Sequence, residues 1–150
     1  MKTVNPYLNF DGNTEEAFNF YRSVFGGEFL GLHRFRDFGG SGMSVPEEDL
    51  DRIAHIALPL GPNNLLMGTD ALRSQGHHLT QGNNFYLAIQ AESAPEADRL
   101  FDALSAGGQV EMPLGTTEWA EKYGICTDRY GVRWMVDYTG SVQFAGSPAS

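Results

Sequence analysis

The stretch NPYLNFDGNTEEAFNFYRSVFGGE, residues 5–28, decides the fold. In order, it has the pattern of a short strand, a turn, an amphipathic helix and a glycine stop. Near its start, the apolar Leu8 and Phe10 alternate with the more polar Tyr7 and Asn9, which is the period of a strand with two different faces. The apolar side of this strand is therefore predicted to meet the helix that follows.

The predicted helix begins after an N-cap at Asn13 or Thr14. Glu15 and Glu16 lie in its first turn, where carboxylates favour the positive end of the helix dipole. Gly26-Gly27 ends it. The apolar side chains that recur at helical spacing, and so form the predicted buried stripe, are Ala17, Phe20, Tyr21, Val24 and Phe25.

A weaker copy of this unit returns as NFYLAIQAESAPEADRLFDALSAGGQ, residues 84–109. Leu8 corresponds to Leu87, and both helices end in Gly-Gly. Three extended segments follow each helix, at 28–36, 52–60 and 65–69 in the first half and at 109–114, 123–127 and 132–138 in the second. The sequence therefore predicts an α+β fold made of two βαβββ modules, with predicted strands at 3–10 and 84–90 and a second helix at 95–106.

The predicted organisation follows from this repeat. The first module spans residues 1–70, a polar and glycine-bearing connector spans 71–82, and the second module spans 83–140. Residues 141–150 are predicted to be a loose tail.

Charge and composition exclude several classes of partner. The formal net charge is −9, and the ten Lys and Arg residues are scattered, so nucleic acid and anionic membranes are not expected partners. No apolar run is long enough to span a bilayer. The single cysteine, Cys126, excludes an internal disulfide and fits a reducing compartment, so a cytoplasmic protein is expected.

Three segments together resemble the PhnB-like family: the opening run, AHIALPL followed by LLMGTD, and GICTDRYGVRWMVDY. This family is a branch of the vicinal oxygen chelate superfamily, which includes glyoxalase I, extradiol dioxygenases and bleomycin-resistance proteins. The resemblance covers about residues 3–138 and implies βαβββ modules whose mixed sheet curls into a cup, usually in a homodimer. The family is often labelled as similar to a 3-demethylubiquinone-9 3-methyltransferase, but the sequence has no glycine-rich strand-to-helix loop for a nucleotide cofactor.

Metal-dependent members of the superfamily place a His or Glu ligand at the start of the first strand and on the last strand of each module. Carried over by the resemblance, these positions fall at Asn5, Met67, Asn84 and Met135. An amide oxygen is a weak neutral ligand and a thioether suits soft ions. No cofactor is therefore expected, and a divalent metal recruited by other residues is the alternative.

Strand alternation predicts which side chains line the cup. The candidate ligand-binding residues are Asn5, Tyr7, Asn9, Met67, Asn84, Tyr86, Trp119, Arg133 and Met135. Trp119 lies in a loop, where a lid over the cavity and a dimer contact are both open. The candidate catalytic residue is His55, which interrupts the apolar strand IAHIALPL and so needs a partner. It is either a hydrogen-bonded core histidine or a cup-facing acid–base residue.

These features leave two main hypotheses for function. The first is a protein that binds a small, partly apolar molecule in the cup without the usual four-ligand metal site. The second is an enzyme of the glyoxalase, lyase or dioxygenase type, which acts on a small oxygenated substrate through His55 or a recruited metal. A 3-demethylubiquinone methyltransferase is a third reading, supported by the family label alone.

Overall fold

The computed structural model describes residues 1–39 and 44–142. The chain divides into two compact units, Met1–Thr80 and Gln81–Ser150, here called the first and second modules. This boundary falls inside the segment 71–82, predicted as a connector. Residues 143–150 of the predicted tail, and residues 40–43 of a Gly- and Ser-rich segment, lie outside the described residues.

The first module contains one α-helix and a four-stranded mixed sheet. The sheet has the order β1-β4-β3-β2, in which β1 is parallel to β4 and the other neighbours are antiparallel. In chain order the elements are β1 (Tyr7–Phe10), α1 (Thr14–Phe25), β2 (Gly31–Arg34), β3 (Ile53–Leu60) and β4 (Asn64–Asp70).

The second module repeats this topology with the order β5-β8-β7-β6, and β5 is parallel to β8. Its elements are β5 (Leu87–Gln90), α2 (Ala94–Ser105), β6 (Gln109–Gly115), β7 (Lys122–Thr127) and β8 (Arg133–Tyr138). The predicted α+β class, and the order of one strand, one helix and three strands in each half, are confirmed. Within residues 1–39 and 44–142, no helix has the length and apolar character needed to cross a membrane.

The predicted starts of the first strand in each half, at residues 3 and 84, are wrong. The structure begins β1 at Tyr7 and β5 at Leu87. Ahead of β1, the side chain of Asn5 rather than its backbone accepts the hydrogen bond from Leu65 N, at 3.1 Å. Pro6 then has no N–H to donate to a ladder. Regular strand pairing therefore starts only after Pro6.

The first core lies between α1 and the sheet. Ala17, Tyr21 and Val24 of the predicted stripe are buried, but Phe18 is also fully buried whereas Phe20 is only half-buried. Phe18 fits because Gly68 of β4 has no side chain: a Cβ there would lie 2.6 Å from Phe18 Cε1. The glycine thus lets the helix approach the sheet closely.

The buried carboxylate of Asp70 joins three elements of the first module. Asp70 is 3% exposed at the end of β4. Its Oδ1 accepts from Thr14 N at 3.1 Å and from Thr14 Oγ1 at 2.6 Å, and its Oδ2 accepts from Ile53 N at 2.8 Å. One side chain therefore caps the start of α1 and fixes the start of β3.

The second core has a different construction. Its helix begins at the N-cap Ser93, whose hydroxyl accepts from Glu96 N at 3.1 Å. The close approach occurs at Gly124 of β7, where a Cβ would lie 2.8 Å from Phe101 Cε2. Trp134 is 1% exposed. The buried residues of the helix recur at helical spacing: Ala97, Leu100, Phe101 and Leu104.

Candidate functional site

Each sheet has one face covered by its helix and an opposite face, here called the open face. In the first module, Leu8 and Phe10 are buried, whereas Tyr7 and Asn9, which alternate with them, are exposed. Because side chains alternate along a strand, Tyr7 and Asn9 belong to the open face. The register adds Met67, which lies opposite Tyr7 in β4.

A hydrogen bond between Tyr7 and His55 is the main polar feature of the first open face. Tyr7 Oη lies 2.8 Å from His55 Nδ1, and the ring centroids are 5.7 Å apart. Burial raises the pKa of the Tyr7 phenol above its ordinary value. The phenol therefore keeps its proton at neutral pH, and the tautomer of the imidazole sets which of the two groups donates in this hydrogen bond.

The structure places His55 on the sheet face away from α1, since its neighbour Ile56 is buried on the helix side. His55 is half-buried and pairs in register with His33 of β2. Tyr7 is 44% exposed. The two rings therefore form a fixed polar pair that solvent or a ligand can reach.

The first module does not offer the metal ligands that catalytic relatives carry. The Asn5 amide already accepts from Leu65 N and donates to Thr3 Oγ1, and Met67 has a thioether. The thioether does not suit a hard divalent ion, and the amide oxygen is a weak neutral ligand that already accepts a hydrogen bond. Among residues 1–39 and 44–142, no group of three or more His, Cys, Asp or Glu side chains is arranged to hold a metal.

The open face of the second module carries an ion pair instead. Arg133 donates to Glu111 from Nε at 3.1 Å and from Nη2 at 2.7 Å. The guanidinium also contacts Tyr86 Oη and lies 4.1 Å from the centroid of the Tyr86 ring. Thr127 Oγ1 donates to Glu111 at 2.8 Å. These side chains form one continuous network across β8, β7 and β6.

Within this network the positive charge of Arg133 and the negative charge of Glu111 compensate each other. Hydrogen bonds from Arg133, and then from Thr127, hold the pKa of the Glu111 carboxyl below its ordinary value. Arg133 is consequently paired and not available as a free anion site. Glu111 was not a candidate from the sequence, because an acidic residue in an exposed strand gives no signal of its own.

The strand registers show that Met67 and Met135 do not occupy corresponding positions on the two open faces. Leu8 lies opposite Gly68, whereas its counterpart Leu87 lies opposite Trp134. Met135 sits beside Ala88, the counterpart of Asn9, whereas Met67 sits beside Tyr7, so the two methionines differ by two residues along the strand. The turn before β8, residues 128–132, is also longer than the turn before β4, residues 61–63. The sequence-based pairing of Met67 with Met135 does not match this register.

Farther along β8, Asp137 lies between Tyr123 of β7 and Gln90 of β5 in the register. Its Oδ1 is buried and has no hydrogen-bond partner. Burial raises the pKa of Asp137, and a hydrogen bond from Gln90 opposes that rise. Asp137 therefore has an unsatisfied acceptor on the open face.

Tyr123, opposite Asp137 in the register, contacts both a thioether and a second aromatic ring. Tyr123 Oη donates to Met135 Sδ at 3.7 Å, and the Tyr123 ring meets Trp119 edge-on at 5.2 Å between centroids. Trp119 is 38% exposed. Asn84 is exposed and precedes β5. At the metal positions that the family resemblance assigns to this module, Asn84 is a weak neutral ligand and Met135 has a thioether that does not suit a hard divalent ion.

Cys126 is not equipped as a nucleophile. Its side chain is buried, and burial raises the pKa of its thiol to about 11. The thiolate is the reactive form, so this cysteine is unreactive at neutral pH.

Comparison with known proteins identifies the family. The profile of the Glyoxalase/Bleomycin resistance protein/Dioxygenase superfamily matches residues 3–136. Protein YjdN of Escherichia coli strain K12 is 32% identical over 144 residues, covering 89% of this chain and 93% of YjdN.

Two solved structures show the same fold with clear sequence similarity. Protein PA1353 of Pseudomonas aeruginosa is 36% identical with a TM-score of 0.78, covering 91% of this chain and 96% of that one. A PhnB protein of Bacillus cereus is 29% identical with a TM-score of 0.71, covering 91% and 98%. Its name carries a suggested 3-demethylubiquinone-9 3-methyltransferase activity.

Proposed function

This chain belongs to the Glyoxalase/Bleomycin resistance protein/Dioxygenase superfamily, and on that premise we propose that it binds a small, partly apolar molecule without the superfamily's metal ion. The proposal places the ligand on the open sheet faces. It uses the Tyr7–His55 pair as the principal polar contact in the first module.

The observation that carries the proposal is the 2.8 Å contact between Tyr7 Oη and His55 Nδ1. Met67, which is half-buried and lies opposite Tyr7 in the register, supplies apolar surface beside this pair. A few oriented polar groups within an apolar surround are typical of small-molecule sites. The positions where relatives carry metal ligands hold an amide and a thioether, which supports binding without a metal.

A thermal-shift screen of small oxygenated metabolites tests this proposal. A ligand that binds the folded state raises its unfolding midpoint by an amount set by its concentration and dissociation constant. We expect Tyr7→Phe to weaken binding of each active compound by about threefold to tenfold, the effect of one hydrogen bond. His55→Ala should weaken it further.

The matched control is His78→Ala, which removes an exposed histidine outside the strands of the first module. It should bind as the unmodified protein does. If every active compound bound Tyr7→Phe and His55→Ala with unchanged affinity, the Tyr7–His55 pair would not be the site.

The second candidate function is an enzyme acting on a small oxygenated substrate. The same contact favours it, since a hydroxyl and an imidazole within hydrogen-bond distance can pass a proton to or from a bound molecule. Each stabilising compound should be incubated with the protein and followed by proton NMR. Turnover that is lost in His55→Ala would establish the enzyme, and unchanged spectra would leave the binding role.

Because the name of the Bacillus cereus relative includes a methyltransferase activity, S-adenosylmethionine should be included among the compounds of the thermal-shift screen. We expect no stabilisation by this compound, because the described residues contain no glycine-rich strand-to-helix loop of the kind that seats a nucleotide cofactor. A stabilising effect would favour the methyltransferase reading.

We further propose that the protein is a homodimer. In support, the edge strand β6 exposes Val110 and Met112, which are 45% and 41% exposed. Exposed apolar edge strands are usually covered or paired. Light scattering at tens of micromolar should report twice the chain mass, and a monomer would overturn the assignment.

A further inference from the structure

A second histidine, His33, lies beside the Tyr7–His55 pair. His33 of β2 and His55 of β3 are directly opposite each other in the register. Cross-strand partners of this kind point to the same face of the sheet, with Cβ atoms about 4.5–5.5 Å apart. His33 is exposed and His55 is half-buried. The first open face therefore carries two accessible imidazoles next to the Tyr7 hydroxyl.

A β-bulge in β3 brings His55 to this face. The register with β2 shifts by one residue just before His55. Ile53 and Ile56 are both buried on the helix side, although strict alternation would place them on opposite faces. Asp70 accepts from Ile53 N at 2.8 Å and Thr69 Oγ1 donates to Ile53 O at 3.2 Å, so the bulge is held from β4. Without it, His55 would share the covered face with Ile53.

Gly31 lets the His33 imidazole lie along the sheet. A Cβ at Gly31 would lie 3.3 Å from His33 Nε2. In the register Gly31 is opposite Ala57, and Ala57 is opposite Met67. His33 Nε2 therefore lies over the row of open-face residues that contains Ala57 and Met67, on the side of that row away from Tyr7.

No carboxylate in residues 1–39 and 44–142 compensates a charge on these imidazoles. No ion pair there includes His33 or His55. Asp37, in the helical turn that follows β2, accepts from Arg34 N at 2.8 Å instead. The Tyr7 hydroxyl engages Nδ1 of His55, and no hydrogen bond in the described part of the chain engages Nε2 of either ring. Both Nε2 atoms are thus open to a ligand.

We infer that the first open face binds a small molecule through a carboxylate group, which accepts hydrogen bonds from the imidazoles of His55 and His33 while the apolar part of the molecule packs on Met67. This inference rests on the proposed function, since it assigns a chemical class to the ligand of that site. It goes further by adding His33 as a ligand contact.

The chemistry of imidazole favours a carboxylate over other groups. A carboxylate close to a histidine favours its protonated form, which donates from both ring nitrogens. His55 can then donate to Tyr7 Oη and to the ligand at once. A hydroxyl would gain only a neutral hydrogen bond, which is about half as strong, and an ammonium would be repelled by a protonated ring. The net charge of −9 opposes this little, because charges beyond about 8 Å are screened at physiological salt.

Three probes of similar size test the inference: phenylacetate, 2-phenylethanol and 2-phenylethylamine. Binding to the full chain is measured near neutral pH and at physiological salt by titration in two-dimensional NMR, which also locates the perturbed residues. Phenylacetate should perturb residues around His33 and His55. It should bind about tenfold more tightly than the alcohol, since hydrogen bonds between charged groups are the stronger ones. The amine should not bind.

His33→Gln is the decisive variant, because the proposed function does not use His33. Glutamine keeps a hydrogen-bond donor but cannot take up a proton. The variant should bind phenylacetate about threefold to tenfold more weakly and leave the affinity for the alcohol unchanged. The matched control, His78→Gln, changes an exposed histidine outside the strands and should bind phenylacetate normally. The spectrum of each variant without ligand shows whether it is folded.

Equal affinity for phenylacetate and the alcohol, or full phenylacetate affinity in His33→Gln, would overturn the inference. Failure of phenylacetate to perturb the first module at millimolar concentration would overturn it as well. The proposed function has a separate readout, the effect of Tyr7→Phe and His55→Ala on metabolite binding. If those variants weaken the binding of neutral metabolites while phenylacetate has no preference, the site stands and the carboxylate class is wrong.

Discussion

Tyr7, the first residue of β1, and Tyr86, immediately before β5, correspond in the internal repeat, but their hydroxyls have different partners. Tyr7 bonds to the imidazole of His55, whereas Tyr86 contacts the Arg133–Glu111 ion pair. The first open face therefore carries a polar pair that can exchange a proton. The second carries a neutralised ion pair and, beyond it, an unpaired carboxylate. A repeated fold has thus given two surfaces with different chemistry.

The sheet faces that the helices cover also differ between the two modules. The first module anchors its helix with the buried carboxylate of Asp70, and the second uses the hydroxyl of Ser93. Close helix packing depends on Gly68 of β4 in one module and on Gly124 of β7 in the other. Each difference can be tested by a pair of matched variants.

The largest effect is expected from Asp70→Ala. It leaves three buried donor hydrogens, two on Thr14 and one on Ile53, without their acceptor. We expect a loss of about 3–5 kcal/mol in the free energy of unfolding, against about 1 kcal/mol for Ser93→Ala. Urea denaturation measures both, and hydrogen exchange should show that Asp70→Ala loosens the first module more than the second. If Asp70→Ala and Ser93→Ala lost equal free energies of unfolding, Asp70 would not hold its helix more strongly than Ser93 holds the other.

A smaller effect is expected at the two glycines. Gly68→Ala and Gly124→Ala should each cost about 1–3 kcal/mol from overpacking. Phe18→Leu should relieve most of the cost of Gly68→Ala, because the two closest contacts, at 2.6 and 3.0 Å, are with the far end of the Phe18 ring and the backbone contact, with Leu8 O, is longer at 3.2 Å.

The corresponding rescue should fail at Gly124. A Cβ there would also lie 3.0 Å from Leu114 Cα, and a backbone atom does not move aside when Phe101 is shortened. Thermal unfolding of both double-mutant cycles measures the two couplings. Gly39→Ala is the control, since its nearest contact would be 3.6 Å away. Rescue at both sites would show that the modules pack alike.

Asp137→Asn should have the smallest effect and the opposite sign, slightly stabilising the protein at neutral pH, because it removes a charge that burial disfavours. Burial raises the pKa of Asp137, so the folded protein holds this proton more tightly than the unfolded chain. The unmodified protein therefore loses stability as the pH rises from the ordinary aspartate value to the raised one.

The difference in the free energy of unfolding between Asp137→Asn and the unmodified protein, here called the gap, should accordingly reach its full value above the pKa that Asp137 has in the folded protein. It should close as the pH falls toward about 4, the ordinary aspartate value. Chemical denaturation across this pH range measures the gap. At Thr69, the last open-face position of β4, Thr69→Val should show no such pH dependence. A gap independent of pH would show that the Asp137 carboxylate is not perturbed.

Much of the fold could be predicted, because alternation and helical spacing identify elements and faces. The burial of Leu8 and Phe10, and the helix stripe around Leu100, follow from these periods alone. The register could not be predicted in this way, since a period of two residues is unchanged when a strand slides by two. For this reason the sequence pattern matched Met67 with Met135, although the strand registers place these two residues at positions that do not correspond.

The candidate site was predicted only in part. Tyr7 and His55 were both candidates, but the sequence separates them by 48 positions and gives no sign that they bond. Glu111 and Asp70 were missed, because the role of each depends on backbone and side-chain donors brought by other strands. The sequence also does not show that Asp137 lacks an ion-pair partner among the described residues, because this follows only once the structure pairs Arg133 with Glu111.

The metal content of the untagged protein, purified without chelators, tests the central claim most directly. Elemental analysis should find metal far below one equivalent per chain, because Asn5, Met67, Asn84 and Met135 occupy the ligand positions of metal-dependent relatives. A result near one equivalent, falling to background in His55→Ala, would contradict the account and assign a metal to the Tyr7–His55 site.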